Sequence, residues 1–159
     1  MIRPARSGDV DSLIELIHGL ATYERAPEQV EATPDHLREA LFGPDPRAFA
    51  HVAEHADGGR SEIAGFALWF LNFSTWTGRH GLYLEDLFVK PEYRRHGYGK
   101  ALLVELARIC VERGYARLEW AVLDWNQPAI EFYRRIGATP QDEWTVFRLH
   151  GEALRRLGS

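Results

Sequence analysis

The residues best suited to chemistry are glycines and basic side chains that separate an apolar strand from an apolar helix. The pattern predicts the strand at Leu82 to Val89 and the helix at Ala101 to Arg113. Between them, Gly97 and Gly99 permit a turn with positive φ and a close backbone approach to a ligand. The unpaired N–H groups at the start of the helix would face an anion there. The segment therefore predicts a phosphate site, with candidate residues Arg94, Arg95, His96, Gly97, Tyr98, Gly99 and Lys100.

Two common nucleotide motifs do not fit this segment. A nucleoside-triphosphate loop requires glycine where Arg94 stands, and Ser or Thr where Ala101 follows Lys100. A dinucleotide fingerprint requires a third glycine at the position of Leu102. The remaining pattern is Arg-x-x-Gly-x-Gly, which begins at Arg94.

Length and composition indicate one globular domain, residues 1–159, with a core of its own. A formal net charge of −4 argues against a general nucleic-acid binder. No run approaches the ~20 apolar residues of a membrane span, and Met1 to Pro4 begin no signal-peptide core. The single cysteine, Cys110, excludes an internal disulfide. A cytoplasmic location is therefore expected.

Hydrophobic periodicity and turn residues predict alternating strands and helices. Asp9 and Thr33 are positioned to cap helices, and Gly114 and Gly137 to end them. The predicted strands are 1–5, 48–54, 63–73, 82–89, 118–123 and 144–149, and the predicted helices follow residues 9, 33, 100, 126 and 150. This order predicts an α/β fold with a central mixed sheet flanked by helices.

The motif and the order of elements together resemble the GNAT superfamily of acetyl-coenzyme A-dependent N-acetyltransferases. Several further runs resemble its diamine (spermidine/spermine) and thialysine acetyltransferase branch. These runs are Tyr23-Glu24, Glu28-Gln29-Val30, Phe73-Ser74-Thr75-Trp76, Leu82-Tyr83-Leu84-Glu85-Asp86, Ala121 to Gln127 and Gly151 to Arg155. The resemblance covers nearly the whole chain and implies the GNAT fold, with strands that splay apart at the acetyl-CoA site.

The resemblance implies where acetyl-CoA binds. The glycine turn would hold the pyrophosphate, and the end of the preceding strand would offer main-chain groups to the pantetheine arm. On the last long helix, Asn126 resembles the cofactor-contacting asparagine of the family. The implied contacts outside the turn are Leu87, Phe88, Val89, Asn126, Phe132 and Tyr133. No metal is implied.

The resemblance assigns two catalytic roles. Tyr133 resembles the general acid, since a phenol of pKa ~10 can protonate the departing thiolate of pKa ~8.5. Glu85 matches a carboxylate that accepts the proton of the amine, directly or through water. Strand alternation places Glu85 on the side of Tyr83 and Leu87. The alternative interpretation of Glu85 is a strand carboxylate paired with an arginine. From periodicity alone, Tyr133 is a core aromatic on an amphipathic helix, and its position in the run Asn-Gln-Pro-x-x-x-Phe-Tyr is what favours the catalytic role.

The amine acceptor is expected to be a small cation, because carboxylates and an indole face attract ammonium groups. Candidate acceptor residues are Tyr23, Glu24, Glu28, Trp76, Glu85 and Asp86. Polyamine-preferring relatives carry an acidic residue before Pro-Trp, whereas this chain has Ser74-Thr75-Trp76. That difference favours a thialysine-like or lysine-like amine over spermidine.

One competing motif concerns a metal. His51 to His55 spells His-x-x-Glu-His, which binds zinc when it lies on a helix. The run is predicted as a strand, where four residues span ~13 Å, so no metal site is expected.

Three functions remain open at this stage: acetyl transfer to a small primary amine in a ternary complex, acetyl transfer to a protein N-terminus or lysine, and a non-catalytic acyl-CoA sensor. The family also suggests a homodimer, through the strand at 63–73 and the aromatic C-terminal strand.

Overall fold

The computed structural model describes residues 1–159, which form five strands and five α-helices. The strands are β1 (Ile2–Pro4), β2 (Phe49–Asp57), β3 (Arg60–Ser74), β4 (Arg79–Val89) and β5 (Leu118–Trp120). The helices are α1 (Val10–Tyr23), α2 (Pro34–Phe42), α3 (Tyr98–Arg113), α4 (Gln127–Arg135) and α5 (Gly151–Leu157). None of the helices combines the length and the apolar character that crossing a membrane requires.

The strands form one mixed sheet in the order β1-β2-β3-β4-β5. Neighbouring strands from β1 to β4 are antiparallel, and β5 runs parallel to β4. The predicted mixed sheet with flanking helices is confirmed.

Main-chain contacts divide the chain into two compact units. Met1–Ala121 contains the whole sheet with α1, α2 and α3, and Val122–Ser159 contains α4 and α5. The extent of a single domain, residues 1–159, stays a prediction.

Local sequence signals account for several of these elements. Gly58 and Gly59 join β2 to β3 with φ of +56° and +82°, the left-handed values of a two-residue hairpin turn. Thr33 caps α2 by accepting the N–H of His36. Asp9 precedes α1 but directs its carboxylate to Arg3 instead of capping the helix.

Helices cover both faces of the sheet. On one face, Leu13 and Leu16 of α1 pack in a buried cluster with Phe66 of β3 and Phe88 of β4. On the other face, α3 packs against β3 and β4 and buries residues outside that cluster, among them Leu106.

A β-bulge interrupts the pairing of β3 with β4. Leu68 lies opposite Asp86 while the next residue, Trp69, lies opposite Leu84. Glu85 is therefore the extra residue, and the side-chain alternation of β4 reverses across it.

This bulge corrects the expected orientation of Glu85. Tyr83 and Asp86 lie on the α1 face, and Leu84 and Leu87 lie on the α3 face. The expectation that Glu85 shares a face with Tyr83 and Leu87 by simple alternation is wrong, because period-two reasoning assumes an unbroken ladder.

Two predicted strands also need correction. The strand at 118–123 ends at Trp120, and residues 144–149 form no strand. The apolar side chains at 144–149 gave strong strand propensity, but strand propensity reflects packing on a paired, half-buried surface. Val146 is 90% exposed and Phe147 is 94% exposed, so this segment lacks such a surface.

Candidate active site

The turn between β4 and α3 presents a row of main-chain donors. Helix α3 begins at Tyr98, three residues earlier than predicted, and Gly97 caps it without a side-chain hydrogen bond. The N–H groups of the six residues from Arg95 to Lys100 donate to no main-chain acceptor. Such a row at the positive end of a helix suits a phosphate or pyrophosphate.

The two glycines of the motif serve different purposes. Gly97 has φ +77°, a left-handed conformation that glycine adopts without strain. Gly99 lies inside the first turn of α3, and a Cβ built there would meet only Cγ2 of Val89, at 3.9 Å. The expected positive φ therefore occurs at Gly97 and not at Gly99, whose missing side chain leaves open space beside the donors.

Arg94 connects this turn to the body of the first unit. Its guanidinium lies over the rings of Tyr23 and Phe88, at 5.2 and 5.7 Å from their centroids. Its Nε donates to the carbonyl oxygen of Val89 at 3.3 Å. The side chains of Arg95 and Lys100 are exposed and add positive charge around the donors.

The edge of β4 next to β5 becomes free just before the turn. The last β4–β5 pair is Leu84 with Trp120, and β4 continues to Val89 without a β5 partner. On that edge the main-chain groups of Leu87 and the N–H of Val89 are available to a ligand that pairs as a strand does, whereas the main-chain groups of Phe88 face Phe66 of β3.

Three carboxylates influence one another on the α1 side of the bulge. Burial raises the pKa of Asp86 to about 6, helped by the charges of Glu85 and Glu24. Burial also raises the pKa of Glu24, and the charge of Glu85 adds to it. We call Glu24, Glu85 and Asp86 the acidic cluster. It is a region of negative charge that a cation would stabilise.

The other predicted acceptor residues lie at varying distances from the acidic cluster. Tyr23 ends α1 directly before Glu24, and Glu28 is exposed on the turn that follows. Trp76 is 90% exposed at the tip of the β3–β4 hairpin. Arg79 is the first residue after that tip, and Glu85 lies six residues farther along β4. Six residues of strand correspond to ~20 Å. The structure brings Tyr23 to the cluster and leaves Trp76 apart from it.

The neighbour of Trp76 has a structural role. Ser74 is buried, and its Oγ accepts the N–H of Thr77 at 3.3 Å while its carbonyl accepts the N–H of Gly78 at 2.8 Å. Ser74 thus stabilises the hairpin turn.

In the second unit, α4 carries the remaining candidates. Asn126 precedes the helix, and Pro128 lies in its first turn, as predicted. Tyr133 and Phe132 are half-buried neighbours on α4, with ring centroids 5.7 Å apart. Asn126 and Tyr133 are seven residues apart, which is two helical turns.

Sequence reasoning missed one polar network beside the acidic cluster. Glu119 of β5 pairs in register with Tyr83 and accepts from Arg117 at 2.7 Å and from Asn72 at 3.2 Å. Burial raises the pKa of Tyr83, and the charges of Glu85 and Glu119 add to it. The register of β4 against β5 identifies Glu119, and a single sequence does not specify that register.

The residues of the metal-like motif have separate partners. His51 accepts from Nε1 of Trp69 at 3.1 Å, and Glu54 binds a guanidinium of β1 at 2.8 Å. Nδ1 of His55 is hydrogen-bonded to the hydroxyl of Tyr98 at 2.7 Å. All three lie on β2, as the strand prediction required.

Comparison with known proteins identifies the family. Residues 12–138 match the family model described as Acetyltransferase (GNAT) family. The chain belongs to this family. It is an acetyl-CoA-dependent N-acetyltransferase, and the predicted family and branch are confirmed.

Named relatives match over almost the whole chain. A thialysine N-epsilon-acetyltransferase from Bos taurus is 39% identical over 99% of this chain and 96% of its own. The Mus musculus protein of the same name is 36% identical, over 98% and 95%. An L-ornithine N5-acetyltransferase from Arabidopsis thaliana is 32% identical, over 98% and 86%.

Solved structures agree on the fold. An integron cassette protein from V. cholerae superimposes with a TM-score of 0.79 at 25% identity, over 99% of this chain and 96% of the other. An aminoglycoside acetyltransferase from a soil metagenomic sample gives a TM-score of 0.76 at 19% identity, over 96% of each chain. The predicted GNAT fold is thereby confirmed.

Proposed function

We propose that this enzyme transfers the acetyl group of acetyl-CoA to a primary amine of a small cationic molecule of the thialysine, lysine or diamine type. The observation that carries the proposal is the acidic cluster, in which burial, and secondarily the charges of neighbouring carboxylates, raise the pKa values of Glu24 and Asp86. A cation at the cluster would relieve this repulsion. The relatives that act on thialysine and ornithine support the same acceptor class.

Acetyl-CoA is the proposed donor, and the β4–α3 turn fits its pyrophosphate. The support is the unpaired row of N–H groups from Arg95 to Lys100 and the open space at Gly99. The free edge of β4 at Leu87 and Val89 would align the pantetheine amides. Asn126 and Phe132 complete the proposed coenzyme contacts from α4.

Glu85 is the proposed proton acceptor for the amine. A lysine-like amine has a pKa of ~10.4 and reaches the site as an ammonium, which cannot attack a carbonyl. Glu85 is exposed on the bulge and interacts electrostatically with both other carboxylates of the cluster. Both features support the proposed role, in which Glu85 takes the proton directly or through a water molecule.

Tyr133 is the proposed general acid. The free amine forms the new C–N bond at the thioester carbonyl, the C–S bond breaks, and the departing thiolate takes the phenolic proton of Tyr133. The proton accepted by Glu85 leaves to solvent, the second proton leaves the nitrogen to solvent as the C–S bond breaks, and a proton from solvent restores the phenol. The net reaction of the ammonium releases one proton. Charge and atoms balance with no other reagent.

Acceptor selection is assigned to Tyr23, Glu24, Glu28 and Asp86 around the ammonium. Trp76 stays a prediction for the distal part of the acceptor, which would have to extend along β4 to reach the hairpin tip. A metal-free site, no affinity for nucleic acid or membranes, and a cytoplasmic location also stay predictions.

The proposed acceptor class can be tested by thiol release from acetyl-CoA. Purified enzyme is assayed against thialysine, lysine, putrescine, spermidine and peptides with a free N-terminus. We expect the highest kcat/KM with the thialysine-like and lysine-like amines. Activity on peptides alone would contradict the proposal in favour of protein acetylation, and coenzyme binding with no acceptor would favour a sensor.

We also propose a homodimer. The segment at 144–149 and the following helix expose apolar side chains, among them Trp144, Phe147 and Leu157, which is costly for a monomer. The other predicted contributor, β3, is hydrogen-bonded on both edges to β2 and β4, so it offers no strand edge to a partner. Light scattering after gel filtration should give twice 18.2 kDa. Phe147→Asp should shift the mass toward the monomer, and a wild-type monomer would refute the assembly.

A further inference from the structure

Strand β2 ends beside the β4–α3 turn, and His55 near that end contacts three ring side chains of the turn. Its ring centroid lies 4.7 Å from that of Tyr93, 5.4 Å from that of His96 and 6.0 Å from that of Tyr98. Its Nδ1 is 2.7 Å from the hydroxyl oxygen of Tyr98. His55 thus contacts the β4–α3 turn, although β2 is not adjacent to this turn in the sequence.

The turn depends on side-chain support because its main chain provides little of its own. Arg95 adopts φ +72° and Gly97 adopts φ +77°. Left-handed φ is unfavourable for a residue with a side chain, such as Arg95. The N–H groups from Arg95 to Lys100 make no main-chain hydrogen bonds that would fix this conformation.

His96 holds the two sides of the turn together. Its Nδ1 lies 3.1 Å from the carbonyl oxygen of Tyr93 and 3.3 Å from that of Arg94. Because carbonyl oxygens only accept, this nitrogen carries a proton and donates it. The His96 ring also stacks on Tyr98, with centroids 5.7 Å apart and planes within 7°. His55 then anchors Tyr98 and Tyr93 to β2.

We propose that His55 is a positioning residue for coenzyme binding. Through its hydrogen bond to Tyr98 and its contacts with Tyr93 and His96, it holds the turn open in the conformation that receives the pyrophosphate. This inference rests on the proposed function of the turn. A binding loop that is already ordered loses less conformational freedom on binding, so His55 contributes affinity for the coenzyme without touching it.

The magnitude follows from the contact that is lost. A hydrogen bond between half-buried groups corresponds to about 3- to 10-fold in an equilibrium constant. His55→Phe keeps a ring in the cluster and removes the hydrogen bond, and Tyr98→Phe removes the same bond from the other side. Each variant should raise the Kd of coenzyme A by about 3- to 10-fold. The double variant should be little worse than either, because one shared contact is lost.

Calorimetry with coenzyme A and steady-state kinetics test this positioning role. For His55→Phe we expect a higher KM for acetyl-CoA, with kcat and the KM of the amine unchanged. His55→Gln retains a hydrogen-bonding group and should recover part of the affinity. His80→Phe is the matched control, since His80 is also a strand histidine with an aromatic neighbour, Phe73, at 5.2 Å. It should bind coenzyme A as the wild type does.

The outcomes separate this inference from the proposed function. Gly99→Val adds a side chain in the space beside the donors and should weaken coenzyme A binding whether or not His55 matters. If Gly99→Val has no effect, the turn is not the coenzyme site. If Gly99→Val weakens binding but His55→Phe and Tyr98→Phe do not, or if their effects are additive, the positioning role is refuted. Should His55→Phe fail to fold, Tyr98→Phe alone decides the question.

Discussion

Asp86 is kept at a cost to stability, and the cost can be measured. Its pKa rises from 3.8 to about 6 in the folded protein, mainly because the carboxylate is buried and secondarily because of Glu85 and Glu24. The folded state thus holds the proton more tightly than the unfolded chain does. The penalty is absent below pH ~4, grows between pH ~4 and ~6, and is complete above that.

The size of the penalty follows from the two pKa values. A difference between 3.8 and about 6 corresponds to about 3 kcal/mol in the free energy of unfolding above pH 6. Asp86→Asn removes the charge at nearly constant volume and should recover most of this energy. For a chain of this length, about 3 kcal/mol corresponds to an increase in Tm of about 6 to 12 °C.

Urea unfolding at several pH values is the decisive measurement. Asp86→Asn should match the wild type near pH 4 and exceed its free energy of unfolding by about 3 kcal/mol at pH 7.5. Glu28→Gln is the control, because it removes an exposed charge outside the acidic cluster and should change stability by less than about 0.5 kcal/mol. An Asp86→Asn advantage that is equal at both pH values would refute the reasoning.

The same variant should lose function while it gains stability. The acceptor ammonium would lose a charged hydrogen-bonding partner, so the KM for a lysine-like amine should rise at least tenfold. A stabilised variant with unchanged KM would place the amine elsewhere.

Three further substitutions test the chemistry and the packing. Tyr133→Phe should lower kcat by ~10²-fold or more with coenzyme A binding intact by calorimetry, and a near-normal kcat would remove Tyr133 from the mechanism. Glu85→Gln should lower kcat/KM by ~10²-fold near pH 7. The loss should become smaller at alkaline pH, where more of the amine substrate is already deprotonated. A loss independent of pH would argue against proton acceptance by Glu85. Gly65→Ala should lower the free energy of unfolding by ~2 kcal/mol or more. The added Cβ would lie 2.7 Å from the carbonyl oxygen of Phe88 and 3.0 Å from Cγ2 of Val89. An unchanged urea midpoint would contradict this prediction.

The parts of the structure that depend on local chemistry could be predicted from the sequence. Gly97 before α3 and Gly114 after it adopt left-handed φ, and Gly58-Gly59 forms the hairpin turn. Each of these signals acts within a few residues, so a single sequence contains it. The acidic cluster followed from the family resemblance instead, because Glu24 and Glu85 are 61 positions apart in the numbering.

The parts that depend on pairing could not be predicted. The bulge at Glu85 forms because Leu68 and Trp69 are consecutive in β3, whereas the β4 residues opposite them are separated by one additional residue. The network at Glu119 depends on the register of β5 against β4. Residues 144–149 have strand propensity but no partner strand, and propensity is not sufficient to form a ladder. The contacts of His55 with the β4–α3 turn were missed because its only sequence signal was a metal motif.

The bulge at Glu85 has a consequence for anyone who transplants or redesigns the acidic cluster. Copying the letters Tyr-Leu-Glu-Asp into an unbroken strand would place Tyr83 and Glu85 on one side and send Asp86 through the sheet to the other. The extra residue is what lets the adjacent Glu85 and Asp86 belong to one acidic cluster. Deletion of Leu84 would restore an unbroken ladder and turn Glu85 toward the α3 face, so the cluster would be dispersed although each of its carboxylates would still be encoded.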